Sequence, residues 1–105
     1  MVTGAAPDFG AGGITGITQG GLFSMMKIAS KENEKTNVRV NEIYLNLRVD
    51  YDSVAEKSGS VKASDFGKVY EQVLKKPEIT GSRVLVMERK AIEDLKSEKL
   101  LGSKL

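Results

Sequence analysis

Among 105 residues there is no cysteine, no histidine and no tryptophan. Without cysteine there is no disulfide to staple a small fold and no thiolate to act as nucleophile or soft metal ligand. Without histidine the chain lacks the side chain that titrates unaided near neutral pH, which is also the commonest metal ligand. Carboxylates remain, but no motif groups them, so no metal site is expected. Charge of one sign is also missing: 16 Lys and Arg face 14 Asp and Glu, a net +2. The densest charged stretch, Lys31 to Lys35, mixes both signs and reads as a solvated turn. That balance leaves no electrostatic footprint for nucleic acid or an anionic membrane. No apolar run approaches the roughly 20 residues that cross a bilayer. The start of the chain lacks the charged-then-apolar pattern of a secretory signal. No membrane span and no nucleic-acid partner are expected, and intracellular, cytoplasmic residence is taken as the default.

What the chain does have is apolar periodicity. Its length suits one domain, near the low end for a single unstapled core. Strand character is confined to Val2 and Thr3 in the first 13 residues; the Gly- and Pro-rich loop GAAPDFGAGG follows. Ile14 to about Asn33 reads as a helix, because Ile14, Ile17, Leu22, Met25, Met26 and Ala29 fall at helical spacing. Phe23 and Ile28 widen its apolar arc beyond one side. An arc that wide needs cover on two sides, and the chain is too short to supply both. Gly16, Gly20 and Gly21 would each weaken an exposed helix by about 1 kcal/mol, so a close-lying backbone is expected beside them.

Thr36 to Leu47 contains a strand whose apolar phase shifts near Asn41 and Glu42, as a strand buried on both faces allows. Residues 48–62 read as a polar loop with at most one helical turn. Ser64 is placed to cap the next helix, with Asp65 in its first turn and Phe66, Val69, Tyr70, Val73 and Leu74 along one face. Ile79-Thr80-Gly81 turns into a strand from Ser82 to Met87. Ala91, Ile92 and Leu95 give residues 88–105 a helical stripe that Gly102 would end. The expected class is α/β, in the order β-α-β-α-β-α, with mostly parallel strands and packed helices.

Several segments, taken in order, resemble the C-terminal half of a short-chain dehydrogenase/reductase. Asn37-Val38-Arg39-Val40-Asn41 looks like that family's "I-R-V-N" strand. Gly20-Gly21-Leu22 matches the small residues of the preceding helix. Ser64 to Val69 sits like the start of its final helix, and Ile79-Thr80-Gly81 like the turn before its last strand. The resemblance runs from about Val2 to Met87 and implies a small, partial Rossmann-like layer. It also implies where the family's catalytic residues would fall. Thr15 stands at the tyrosine position, Gln19 at the lysine position, and the catalytic serine would fall near Val2 or Thr3. Leu45 and Asn46 replace the family's Pro-Gly turn. An aliphatic hydroxyl has no useful acidity near pH 7, and an amide has no charge to depress a neighbour's pKa. Thr3-Gly4-Ala5-Ala6 with Gly10 and Gly12 echoes a dinucleotide-binding turn only weakly, with the wrong spacing. No catalytic residue, cofactor or metal is therefore assigned.

Other residues carry two readings. Tyr44 could stack on a ligand or pack in the fold; packing is favoured. Arg39 and Arg83 read as solvated surface charges. Met25 and Met26 suit either a core or an adaptable contact surface. Asp50 and Asp52, flanking Tyr51, read as a solvated loop. The functional expectation is a non-catalytic structural or interaction protein on a degenerate half of the enzyme fold. It would assemble through Gly20, Gly21, Leu22, Met25, Met26 and Ala29 as a homodimer or homotetramer, or as a subunit of a larger complex. The alternative is an NAD(P)-dependent oxidoreductase, or the complementing half of a split one.

Overall fold

The structure is a computed structural model of the chain. It describes residues 1–6 and 13–100, the side chain of Thr15 excepted. The middle of the Gly- and Pro-rich loop, Thr15's side-chain role and the helix end expected at Gly102 lie outside the described residues.

The elements run β1 (Val2–Ala5), α1 (Gly13–Glu32), β2 (Asn41–Leu45), β3 (Val49–Asp50), α2 (Asp52–Ser58), β4 (Val61–Lys62), α3 (Ala63–Lys75), β5 (Ser82–Val86), α4 (Lys90–Glu93) and β6 (Lys96–Lys99). The main sheet has the order β1-β2-β5-β6. β1, β2 and β5 are parallel, with Thr3, Ile43 and Val84 in register. β6 runs antiparallel to β5, Ser82 opposite Lys99. The α/β class with a mostly parallel sheet is thus as the sequence implies.

Alternation along the strands sends their side chains to two faces. On one face Ile43, Val84 and Val86 meet Phe66, Val69 and Val73 of α3, with Val61, Ile79 and Ile92 closing the core. Ile43, Val69 and Val84 are fully buried. Each such side chain contributes roughly 1.5–3 kcal/mol by leaving water. On the other face lies α1, over β1 and β2.

Three expectations change. The stretch 48–62 is a small unit of its own: β3 and β4 pair in parallel, and α2 connects them. Gly59, at φ 78°, ends α2 in the left-handed region that suits glycine. Ser64 is not a cap. It lies inside α3, and the Asp52 carboxylate accepts its N–H at 3.0 Å. The tail expected as a helix over 88–105 is helical only at Lys90–Glu93 and then forms the edge strand β6, whose four residues are all exposed. Edge pairing needs backbone hydrogen bonds and no apolar stripe, and charged residues suit an edge.

The Ile79-Thr80-Gly81 turn is tied on several sides. Asn41 donates from Nδ2 to the Ile79 carbonyl at 2.9 Å and accepts the Ser82 N–H at 3.1 Å. Gly81 has φ 57°, and a Cβ there would stand 2.8 Å from Ser30 Oγ of α1. Both backbone conformation and space therefore require glycine.

Candidate functional site

Two of the residues that the resemblance maps to a catalytic centre, Thr3 and Gln19, make hydrogen bonds within the fold. Thr3, on β1, hydrogen-bonds through its hydroxyl to the Tyr70 hydroxyl of α3. Gln19, on α1, accepts the Ala5 N–H at Oε1, 2.9 Å away. In β1 the next N–H, Ala6, is donated to Leu45 of β2. Alternate groups of a parallel strand point to opposite edges, so the Gln19 amide covers a donor on the outer edge of β1. The same helix lays Phe23 over Gly4. A Cβ on Gly4 would come within 2.8 Å of the Phe23 ring, so glycine lets helix and strand meet. Thr3 and Gln19 both act on β1 but bond to different partners, Tyr70 and Ala5.

Helix α1 sorts its residues into two opposite faces. Gln19, Phe23, Met26 and Ser30 turn to the sheet: Gln19 and Phe23 meet β1, Met26 is 5% exposed, and Ser30 approaches Gly81. Ile14, Ile17, Gly21, Met25 and Ile28 recur at three- and four-residue steps on the far side. The four large ones are exposed by 79%, 76%, 48% and 61%. Of the six residues expected at an interface, Met26 is thereby corrected to a core residue. Gly21 and Met25 are exposed, while Gly20, Leu22 and Ala29 are half-buried along the flanks. Among the described residues, open space lies over Gly20 and Gly21, and no backbone makes the close approach expected there. Ile17 and Ile28 belong to the outer face more clearly than Leu22 or Ala29. Their spacing was visible in the sequence, but a helix apolar all round does not reveal which side meets the sheet.

Beneath α1 is a charged cluster. Glu42 of β2 is fully buried and accepts from Arg83 Nε at 2.7 Å. The Arg83 guanidinium stands 4.7 Å from the Tyr44 ring centroid and 5.3 Å from that of Phe23, within cation–π range. The two rings are 5.2 Å apart, tilted by 36°. Tyr44 is thus packed among protein groups. Among the described residues, Glu42 Oε1 has no hydrogen-bond partner. Burial pushes the Glu42 carboxyl above the ordinary carboxylate range; the Arg83 hydrogen bond and charge pull it down, and Glu98 pushes it up.

Arg39 is likewise no solvated charge. Its Nη1 donates to the Val73, Lys76 and Ile79 carbonyls at 2.9, 3.2 and 3.5 Å, and Nη2 to Leu74 at 3.4 Å. A cation here satisfies the last carbonyls of α3 and complements its dipole. Asp50 and Asp52 are braces. Ser60 donates to Asp50 at 2.5 Å and Arg48 pairs with it at 2.9 Å. The Ser60 hydrogen bond, with Arg48, holds the Asp50 carboxyl below its usual range, and hydrogen bonds from Ser64 do the same for Asp52. Among the described residues no three acidic, His or Cys side chains converge as a metal site would need, and no helix is long and apolar enough to cross a membrane.

Known proteins bear on this geometry in one way. The chain is 43% identical, over 103 aligned residues, to the short-chain dehydrogenase/reductase iacG of Pestalotiopsis fici. The alignment takes in 93% of this chain and 42% of that protein. No family model matches the chain, and no solved structure matches it. The chain is thus similar to part of a short-chain dehydrogenase/reductase, spanning about two fifths of that relative's length.

Proposed function

We propose that the chain is a non-catalytic α/β module, derived from the C-terminal half of a short-chain dehydrogenase/reductase, that works by assembly through the outer face of α1. The observation that carries this reading is the stripe Ile14, Ile17, Met25 and Ile28, open to water on the side of α1 opposite the sheet. A contiguous apolar stripe of this kind favours a protein contact. A second copy, as a dimer or tetramer, is the partner of choice, because one face repeated about a two-fold axis covers itself. In this reading Thr15 and Gln19 replace the family's acid–base pair. Gln19's use as a brace for β1 supports a structural role for that position. Cytoplasmic residence belongs to the same proposal.

The test is Ile17→Lys. The substitution leaves the sheet side of α1 untouched, so circular dichroism should stay as in the wild type while the light-scattering mass drops to that of one chain. A wild type that already has the mass of one chain counts against assembly.

A second reading, favoured by the 43% identity to a protein named as a short-chain dehydrogenase/reductase, is an NAD(P)-dependent oxidoreductase or its complementing half. A dinucleotide-binding half and the acid–base groups would then come from elsewhere. Titration with NADPH, followed by cofactor fluorescence, tests binding by this chain: a saturable signal supports the second reading, and no signal removes cofactor binding by the chain alone, leaving only the complementing-half form of that reading.

A further inference from the structure

The cluster beneath α1 contains a contradiction that the assembly reading does not use. Glu42 is fully buried, yet among the described residues one of its two oxygens has no partner. An ionised carboxylate in that position loses hydration that nothing replaces at Oε1. Arg83 compensates at the other oxygen only. The groups around Glu42 offer little more. α1 turns Gln19, Phe23, Met26 and Ser30 to the sheet, none of them titratable. β1 places Val2 opposite Glu42. β5 contributes Arg83, β2 contributes Tyr44 two residues on, and β6 contributes Glu98, opposite Arg83 and of like charge to Glu42.

Arg83 also ties the seam together, since its guanidinium lies over Phe23 of α1 and Tyr44 of β2 at once. α1 rests on β1 and β2, with Gln19 hydrogen-bonded to the edge of β1 and Phe23 laid over Gly4. We propose that Glu42 and Arg83 form a proton-operated latch between α1 and the sheet: protonated Glu42 lets α1 lie closed over it, and ionised Glu42 drives α1 to lift so that water reaches the unpaired oxygen. The sign follows from linkage. With α1 lifted, the burial that raises the Glu42 carboxyl is relieved while Arg83 still favours its ionised form; with α1 closed, burial raises it above the ordinary 4.5. The closed state therefore binds the proton more tightly, and closure weakens as pH rises above 4.5 through the raised value. Lifting would present both apolar faces of α1, Phe23 and Met26 included, to a partner. The latch concerns α1 against its own sheet and holds whether or not the outer face is occupied.

The experiment is NMR hydrogen exchange on the 105-residue chain, with protection factors corrected for intrinsic rates, alongside a carbon-13 titration of the Glu42 carboxyl. Between about pH 4.5 and pH 8, α1 protection should fall roughly tenfold relative to β5, with the midpoint of the Glu42 titration. Glu42→Gln, which cannot ionise, should flatten the profile. Glu98→Gln should move both midpoints to lower pH together, and this variant decides the question if Glu42→Gln fails to fold. An α1 whose protection tracks β5 at every pH overturns the latch. So do an unchanged profile in Glu42→Gln, and α1 and Glu42 midpoints that separate in Glu98→Gln.

Discussion

The two faces of the sheet solve the same problem differently. On the α3 face, β2, β5 and α3 bury Ile43, Val69 and Val84 completely, and the helix is amphipathic, with Glu71, Lys75 and their neighbours in water. Polar groups there are satisfied: Arg39 closes the C-terminal carbonyls of α3, and Asp52 takes an N–H from its first turn. On the α1 face, the helix is apolar on both sides, its outer stripe is exposed, and the sheet beneath holds a carboxylate with one oxygen unpaired. The first face has the pattern of a finished core. The second differs on both its surfaces: an outer one whose apolar stripe is open to water and an inner one that buries a carboxyl with one oxygen unpaired among the described residues.

The comparison can be broken or sharpened by substitution. The largest effect is expected at the centre of the finished face. Ile43→Ala should lower unfolding stability by about 2–5 kcal/mol in chemical denaturation, since it empties a fully buried site. Next comes Arg39→Ala, which strips the last turn of α3 of its cation; a loss of about 1–3 kcal/mol is expected, with faster amide exchange confined first to the end of α3. Asp52→Asn should have a smaller effect, recognisable by its pH dependence. The folded Asp52 pKa lies below the ordinary 3.8, so its contribution is present above 3.8 and is lost as pH falls through the depressed value. Acid melts of the wild type should show that loss, and melts of the variant should lack it. The smallest effect on folding belongs to the open face. Ile17→Ala should leave the stability of a single chain within about 0.5 kcal/mol, whereas an equal loss to that at Ile43 would mean that the outer stripe is already covered.

Much of the closed face was legible in the sequence. Phe66, Val69 and Val73 recur at helical steps in a segment otherwise polar, and Val84 and Val86 alternate between turn residues, so periodicity alone finds α3 and β5. The open face was legible only as an anomaly. Too many apolar residues on α1 announced two covered sides without naming them, and Met25 and Met26 exchange roles with a rotation of one residue. β6 left no trace because Lys96–Lys99 pair through their backbone alone. β3 and β4, two residues each, are too short for a period. The roles of Arg39 and Glu42 depend on partners 34 and 41 residues away, which no local pattern can foretell. At the candidate site, the sequence indicated that Gln19 carries no charge; only the fold assigns its amide to Ala5.

The central claim of the proposed function is that the outer stripe of α1 is a contact surface. Sedimentation of the wild-type chain across a range of concentrations tests it directly. The account predicts a species of at least twice the 11.4 kDa chain mass, dissociating on dilution and reduced to a single chain by Ile28→Lys. A folded 11.4 kDa monomer at every concentration, indifferent to that substitution, would contradict it.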